Sequence, residues 1–374
     1  GLHMGLLTAF VYAALRYALV LVPGLADRVP IRKLAAIGAL QAGAFYLALS
    51  GGSIATERAY IMVSVMFGAV LLDRRALTLR AVALAATLIL LVQPESMTEP
   101  GFQMSFSATI ALVFVFGTLR DWKGWRAPRW TRPVTGVLMS SAIAGLATAP
   151  FAAAHFNQVS YYGLIANMLA VPVMGAAVIP LAVMTALAAP FGLGGVTLWL
   201  MQWPIRWILA VAAWVSGLDG AVGHVPSPGP WVLPLVAAGG LTFVLLRGWP
   251  RLVGAAPLVI AFALWADAER PPVLVAPSGG LVGVMTAEGR ALSKPRGDGF
   301  TARVWLENDG DAVEQADAAG RSGFDGDKGH LFAELGALRL AALSGRGATD
   351  RVPEACGVAD VVAAKLHQAR ALGA

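Results

Sequence analysis

Polar side chains interrupt the apolar stretches of this 374-residue chain, and they are its clearest candidates for chemistry. Glu57 and Arg58 are adjacent and follow Gly51-Gly52-Ser53 at the start of an apolar run. If that run crosses a membrane, charged groups within it face the protein interior or a water-filled cavity. The alternative is a pair at the membrane surface, with Glu57 favoured by a helix N-terminus and Arg58 extending towards the headgroups.

A second group of polar residues lies near the starts and ends of later apolar runs. Its members are Gln103, Ser105, Ser107, His155, Asn157 and Asn167. Hydrogen bonds between helices are the ordinary role of such side chains in membrane proteins. The functional hypothesis is a polar vestibule at one membrane surface, shared with His3, Glu57 and Arg58. His3 or His155 alone is more typical of a hydrogen-bonded histidine than of a metal ligand or a proton relay.

Several kinds of chemistry are absent from the sequence. Cys356 is the single cysteine, so no internal disulfide forms, and no Cys/His spacing resembles a zinc site. After Asp267 the histidines are His330 and His367, too few for a two-metal hydrolase. The aspartates between 309 and 327 lack the EF-hand spacing and indicate a solvated acidic loop. We therefore expect no enzyme activity, no metal and no cofactor. The sequence also contains no Walker A motif for an internal motor.

Composition indicates a polytopic membrane protein. Apolar residues make up 57% of the chain and charged residues 13%, whereas soluble domains have about 45–50% and about 25%. A bilayer core needs about 20 apolar residues per helix. On that basis ten membrane spans are predicted, near 1–22, 34–50, 54–72, 78–93, 102–119, 134–154, 160–188, 194–217, 230–246 and 250–266.

The distribution of charge divides the chain in two. Before Asp267 there are 16 basic and 7 acidic residues, and from Asp267 onward 12 basic and 15 acidic. Pro271-Pro272 marks a natural boundary, because a helix cannot continue through it. We predict an all-α polytopic membrane domain at 1–266 with about ten transmembrane helices, and a small α/β or mainly β soluble domain at 267–374. The predicted strands are 273–276, 281–286, 300–306, 338–343 and 358–363.

Loop charges predict the orientation. Basic residues concentrate in alternate loops, as in Arg28, Arg32 and Lys33 after the first span, whereas the intervening loops are neutral or acidic. Cytoplasmic loops carry the excess of Lys and Arg. The N-terminus and the C-terminal domain are therefore expected outside the cytoplasm, and the pI of about 9.8 reflects topology more than nucleic-acid binding.

Two of the predicted spans are unusual. The seventh contains Pro172, Gly175 and Pro180, a pattern that fits either a kinked or discontinuous helix lining a transporter cavity or an inert proline kink. The eighth carries four tryptophans within an arc of about 80° at 100° per residue. They are Trp199, Trp203, Trp207 and Trp214. Such a stripe can stack nucleobases, but a face packed on lipid or on another helix is the favoured interpretation.

Four ordered segments resemble the competence domain of the ComEC/Rec2 family, proteins thought to pass single-stranded DNA across the bacterial inner membrane during natural transformation. They are Gly-Leu-His-Met-Gly-Leu at 1–6, Ser-Gly-Gly-Ser-Ile-Ala-Thr-Glu-Arg-Ala-Tyr-Ile-Met at 50–62, Pro-Gly-Phe-Gln-Met-Ser-Phe-Ser-Ala at 100–108 and His-Phe-Asn-Gln-Val-Ser-Tyr-Tyr-Gly-Leu-Ile-Ala-Asn-Met-Leu-Ala-Val-Pro at 155–172. The resemblance extends over about residues 1–266. Family members usually begin with further membrane segments and an OB-like domain, so we expect an N-terminally truncated member.

The resemblance implies a DNA-uptake channel in the inner membrane. It makes motif residues candidates for lining or shaping the channel, namely Thr56, Arg58, Gln103, Ser105, Asn157, Asn167 and Pro172. The implied partners are single-stranded DNA, the lipid bilayer and other competence proteins, including a separate cytosolic motor, and a homo-oligomer is left open. Residues 267–374 would be a degenerate metallo-β-lactamase-like domain. The alternatives are a secondary transporter of a small solute and a non-catalytic structural membrane protein.

Overall fold

A computed structural model describes residues 2–121, 128, 131–327, 329–345 and 348–365. Most of the described residues up to 266 are helical. The helices are α1 (Leu2–Val20), α2 (Leu25–Arg28), α3 (Ile31–Leu49), α4 (Ile54–Leu71), α5 (Leu79–Val92), α6 (Pro100–Asp121), α7 (Arg132–Phe156), α8 (Gly163–Val173), α9 (Ile179–Ala188), α10 (Gly194–Ser216), α11 (Val232–Leu245), α12 (Ala255–Ala266), α13 (Gly299–Asn308), α14 (Gln315–Ala318) and α15 (Ala348–Val358). Short 3-10 helices cover Pro94–Thr98, Ala189–Phe191 and Trp249–Gly254.

Seven helical segments among the described residues are long and apolar enough to cross a membrane, as expected for a polytopic membrane protein. They are His3–Val20, Ile54–Leu71, Pro100–Arg120, Val134–Phe156, Gly163–Phe191, Gly194–Ser216 and Trp249–Ala266. Two predicted spans form shorter apolar helices, α5 and α11. The one remaining predicted span, 34–50, lies in α3, whose first turn carries Arg32 and Lys33. For these three helices membrane crossing stays a prediction.

The seventh predicted span is a continuous helix rather than two separate pieces. Between α8 and α9 the residues Met174–Val178 form a π-helical turn. The backbone N–H of Ile179 donates to the Met174 carbonyl, five residues back, so the hydrogen bonding passes through the turn. Such π turns occur mostly as single turns inside α-helices, often at functional sites.

The described residues divide into two compact units. Unit 1 takes those of Gly1–Ala152, Ser160–Val222 and Val244–Arg247, and unit 2 takes those of Ala153–Val159, Gly223–Phe243 and Gly248–Ala374. Charge and composition indicate a domain boundary near residue 266. That boundary stays a prediction, because this division into units does not test it.

Close helix packing builds apolar cores among the described residues of unit 1, and two of them bear on the site. In the first, Met4 of α1 packs with small residues of α3 and with Ala59, Val63 and Phe67 of α4. In the second, side chains of α5 pack against Phe102 of α6 and its neighbour one turn later. These cores place the first turns of α4 and α6 near the end of α5.

Unit 2 contains two sheets formed by its C-terminal part. The strands there are β3 (Val273–Val275), β4 (Val282–Thr286), β5 (Gly289–Leu292), β6 (Asp325–Asp327), β7 (His330–Leu335), β8 (Leu338–Leu343) and β9 (Val361–Ala363), and two further short strands, β1 (Gln158–Ser160) and β2 (Val222–His224), pair with each other. β3-β4-β5 is an antiparallel meander. In the second sheet β6, β7 and β8 are antiparallel, and β9 pairs parallel to β8.

The predicted strand at 300–306 is wrong, because this segment lies in helix α13. Its apolar residues follow a helical period: Ala302 and Leu306 are buried on one face, whereas Phe300 is 82% exposed. Residues four positions apart share a helix face, whereas strand residues alternate. The predicted strand at 358–363 is shorter, because α15 extends to Val358 and the strand covers Val361–Ala363. The predicted strand at 338–343 is confirmed as β8.

A close approach between α11 and the segment Trp249–Ala266 gives the first prediction. A Cβ on Gly239 would lie 2.8 Å from the Gly254 carbonyl oxygen, whereas a Cβ on the adjacent Gly240 would meet open space. We expect Gly239→Ala to cost about 1–3 kcal/mol through overpacking. Gly240→Ala, the matched control, should be neutral or stabilising by up to about 1 kcal/mol from helix propensity. Thermal unfolding in one detergent measures both, and equal melting temperatures would contradict the close packing.

Candidate functional site

A tight turn precedes α4 and sets its first residues. Gly51 and Gly52 have φ values of 72° and 63°, in the region that favours glycine. Ser53 is extended, and its carbonyl oxygen accepts hydrogen bonds from the N–H groups of Thr56 and Glu57. The Ser53 and Thr56 hydroxyls also bond to each other. Glu57 therefore lies in the first turn, where the helix dipole favours a carboxylate.

Glu57 joins the start of α4 to the end of α5. Its Oε2 accepts a hydrogen bond of 3.1 Å from Nε2 of Gln93, the residue that follows α5. A pocket of about 310 Å³ lies beside this pair, with Tyr60 and Ile89 among its walls. The carboxylate of Glu57 is thus held by a neutral donor.

Arg58 joins the start of α4 to the start of α6. Its guanidinium forms an ion pair with Glu99, the residue before α6, and the two side chains are 11% and 32% exposed. The guanidinium lies directly against Gly101, at a position where a Cβ would collide with it. A side chain at position 101 would therefore force the end of the Arg58 side chain to shift relative to Glu99.

These four side chains, Glu57, Arg58, Gln93 and Glu99, form what we call the α4–α6 cluster. It contains one guanidinium and two carboxylates, so it does not present net positive charge. Charged groups in apolar surroundings are ordinarily paired. Arg58 follows this rule through its ion pair with Glu99. That Arg58 attracts phosphate stays a prediction.

Gln103 and Ser105 lie in the first turns of α6, next to this cluster in the chain. Gln103 donates from Nε2 to the Met97 carbonyl oxygen at 3.0 Å, which ties α6 to the preceding 3-10 helix. Ser105 is half-buried, and its carbonyl accepts a hydrogen bond from the Thr109 hydroxyl within the same helix. Of the predicted site residues, the structure thus gathers Thr56, Glu57, Arg58 and Gln103 around these helix ends, with Ser105 one turn further along.

Other predicted site residues of unit 1 occupy different helices. His3 is exposed on α1, while its neighbour Met4 is 1% exposed and belongs to the core. Asn167 and Pro172 are both exposed on α8. The remaining two, His155 and Asn157, belong to unit 2, so the single vestibule proposed from the sequence stays a prediction.

Asn157 is the centre of a hydrogen-bond chain in unit 2. It takes positive φ, 57°, directly after α7, and is 5% exposed. Its Nδ2 donates to Ser227 Oγ at 2.8 Å and to the Val225 carbonyl oxygen at 3.3 Å. The Ser227 hydroxyl in turn donates to Asn308 Oδ1 at 2.8 Å. Asn157 thereby connects the end of α7 to the end of α13.

The next residue, Asp309, organises the charges of the C-terminal part. Its carboxylate accepts from Nε of Arg290 at 2.5 Å and from Nε of Arg270 at 2.9 Å. Arg290 is completely buried and also donates to the Pro271 carbonyl oxygen at 3.0 Å. The sequence reading missed this cluster, because Arg270, Arg290 and Asp309 are far apart in the chain.

A second aspartate of the predicted acidic loop is also paired. Asp311 accepts a hydrogen bond of 2.5 Å from Arg321, and this bond raises the pKa of the guanidinium. Within the described part of the chain, no group of three or more His, Cys, Asp or Glu side chains is placed to hold a metal ion. The expected absence of catalysis is untested by this geometry.

Comparison with known proteins identifies the family. A family model described as Competence protein matches residues 1–250. The chain belongs to this family. ComE operon protein 3 of Bacillus subtilis (strain 168) is 27% identical over 254 residues, which are 66% of this chain and 29% of that protein. The chain thus spans less than a third of this relative's length. No solved structure matches the chain.

The competence match confirms the resemblance and covers all four motif segments. The structure adds that these segments supply packing as well as polar groups. Met4, Ala59 and Phe102 are motif residues buried in the two cores of unit 1. The sequence reading missed Glu99 and Gln93 as partners of the motif residues. One available signal was the position of Glu99, directly before the segment at 100–108.

Gly101 tests the Arg58–Glu99 contact. Gly101→Ala should displace the guanidinium, weaken its contact with Glu99 and cost up to about 1 kcal/mol, because the end of the Arg58 side chain can shift and the pair is partly exposed. Gly117→Ala, on the same helix with open space at its Cβ position, is the matched control. In a Glu99→Gln background the cost of Gly101→Ala should shrink, because the pair is already lost. Thermal unfolding measures all four variants, and strict additivity would contradict the contact.

Asn157 both adopts a positive φ and donates hydrogen bonds, and substitutions can separate these two roles. Asn157→Gly keeps the positive φ and loses the donated hydrogen bonds, so it should cost about 1–3 kcal/mol. Asn157→Ala should cost more, because alanine is also strained at that φ. Ser227→Ala should resemble the glycine variant. Thermal unfolding and limited proteolysis of the C-terminal part are the measurements. The exposed Asn167→Ala is the control, expected within about 0.5 kcal/mol of wild type, and an equally large loss there would refute the assignment.

Proposed function

We propose that the chain is the membrane part of a DNA-uptake channel, which passes one DNA strand across the bacterial inner membrane during natural transformation. The observation that carries this proposal is the family match over residues 1–250. The seven candidate spans support it, because six of them lie entirely within the matched range.

In the proposed mechanism the α4–α6 cluster shapes the channel rather than gripping the DNA. Arg58 and Glu99 neutralise each other, so their contact holds α4 against α6 without offering a free cation. Two helices that are fixed at one end by an ion pair keep a defined spacing there. The motif glycine, Gly101, allows that contact. Arg58 is therefore a positioning residue in this proposal.

The proposed membrane orientation follows from loop charge, and the proposed need for a separate motor follows from the absence of a Walker A motif in the sequence. In this proposal the basic loops lie in the cytoplasm and the C-terminal domain lies outside it. Because the sequence has no Walker A motif, a separate cytosolic motor would pull the strand, and other competence proteins would deliver it. The proposal contains no hydrolytic step and no cofactor.

A second candidate function is transport of a small solute. The observation that favours it is the π-helical turn Met174–Val178 in the middle of a 29-residue apolar segment. Interrupted helices line the binding sites of many secondary transporters. The turn keeps its internal hydrogen bonds, however, which leaves few backbone groups for a solute. The DNA channel therefore remains the favoured function.

A transformation assay in a deletion strain of the source bacterium tests the proposal. Labelled DNA is followed separately at the cell surface and in the cytoplasm, with the gene restored as wild type, Arg58→Ala or Arg16→Ala. We expect Arg58→Ala to lower cytoplasmic entry at least tenfold with surface binding unchanged. Arg16, exposed on α1, is the matched control and should support normal entry.

Two results would contradict the DNA channel. If deletion leaves transformation unchanged, the chain is not needed for DNA uptake. If Arg58→Ala abolishes uptake of a small solute while DNA entry persists, the solute transporter replaces the channel. In both cases membrane levels of each variant are compared by immunoblot, so that a loss of protein is not mistaken for a loss of function.

A further inference from the structure

An arginine lies in the middle of the membrane-spanning helix α10. Arg206 is twelve residues from Gly194 and ten from Ser216, so at 1.5 Å per residue it lies about 15 Å from the nearer helix end. That distance exceeds the reach of its side chain to the headgroup region. Arg206 is nevertheless exposed on the surface of unit 1. Its charge therefore needs a partner or water that the membrane core itself does not supply.

Arg206 belongs to the tryptophan stripe of the same helix. At 100° per residue, Arg206 and the four tryptophans fall within an arc of about 100°. The tryptophans are half exposed or more: Trp199 58%, Trp203 56%, Trp207 50% and Trp214 54%. The guanidinium carbon of Arg206 lies 5.5 Å from the centre of the Trp203 ring, a cation–π contact. We call these five residues the α10 stripe.

Membrane-surface anchoring does not account for the centre of the stripe. Tryptophans that anchor a helix lie near its ends, at the headgroups. Trp199 and Trp214 fit that position, but Trp203 and Trp207 are each nine residues from the nearer end. Trp207 is also held in place, because its Nε1 donates to the Leu169 carbonyl oxygen of α8 at 3.1 Å. The middle of the stripe is thus an ordered aromatic surface with a cation on it.

The charge of Arg206 decides which ligand suits this surface. Among the described residues no carboxylate forms an ion pair with it, and its guanidinium contacts the Trp203 ring. A lipid tail offers neither a counter-charge nor hydrogen-bond acceptors. A lipid phosphate stays at the headgroup depth, about 15 Å away along the helix. An anion that enters the membrane region through a protein-lined path would complement the guanidinium.

We propose that the α10 stripe is a binding site for single-stranded nucleic acid. This inference rests on the proposed function. Bases stack on the exposed tryptophan faces, and Arg206 pairs with a backbone phosphate. Stacking on aromatic side chains does not depend on the base sequence, because every base has a π-face. A basic side chain binds the phosphate backbone, which is the same at every nucleotide. Trp199, Trp203 and Trp207 recur every four residues, about 6 Å apart along the axis, so successive rings form one track.

Photo-crosslinking tests whether the stripe contacts DNA. The full chain is placed in nanodiscs, with p-benzoyl-phenylalanine at position 203 or at position 209, and a fluorescent oligo-dT is added. Leu209 is the matched control: it is 62% exposed on α10 and lies about 120° around the helix from Trp203. We expect the oligonucleotide to crosslink at position 203 and not at 209. Crosslinking at 203 to lipid or to a second copy of the chain, without the oligonucleotide, would overturn the proposal.

Binding measurements separate the contribution of the Arg206 charge from that of the tryptophan rings. Arg206→Gln should weaken oligo-dT binding and lower the salt dependence by about one phosphate contact, whereas Arg206→Lys should keep most of that dependence. Trp203→Ala should weaken binding about fivefold or more, and Leu209→Ala should not. Size-exclusion profiles confirm that each variant is folded.

The outcomes distinguish this site from the proposed function. If wild type binds oligo-dT but Arg206→Gln and Trp203→Ala bind with the same affinity and salt dependence, the stripe is not the site and the channel function stands. If wild type does not bind oligo-dT and the deletion strain still transforms, both proposals fail.

Discussion

A charged side chain among apolar helices is ordinarily paired or faces a water-filled cavity, because the membrane core does not solvate it. In unit 1 this constraint is met where Arg58 pairs with Glu99. The pair joins the first turn of α4 to the residue before α6, and Glu57 bonds to Gln93 at the end of α5. The ends of three helices are therefore held by polar contacts, while the apolar cores hold the rest of their length.

The same constraint organises unit 2. Arg290 is fully buried, and Asp309 neutralises it. Asn308, the residue before Asp309, accepts from Ser227, which accepts from Asn157. Asn157, a residue of the fourth competence segment, is thus linked by hydrogen bonds to Asn308, the chain neighbour of the aspartate that neutralises Arg290. This gives Asn157 a structural role that does not require contact with a transported strand.

Much of the helical architecture could be predicted, because a bilayer requires long apolar runs and these are visible directly in the sequence. The predicted spans 54–72 and 194–217 agree with α4 and α10 to within one residue at each end. Short segments were harder. The segment 300–306 is rich in aromatic and β-branched residues, which favours a strand, yet burial of Ala302 and Leu306 on one side makes it a helix. Tertiary packing overrides propensity in such short segments.

The sequence by itself determined the membrane class, the approximate helix bounds and the family, because hydropathy and four ordered motifs are local properties of the chain. It also identified Arg58, Asn157 and the tryptophans as unusual. Only the tertiary structure decided their partners. Glu99, Ser227 and the carbonyl of Leu169 lie 41, 70 and 38 positions from the residues that they contact. Contacts at such separations depend on how helices pack, and a pattern along the chain does not record that packing.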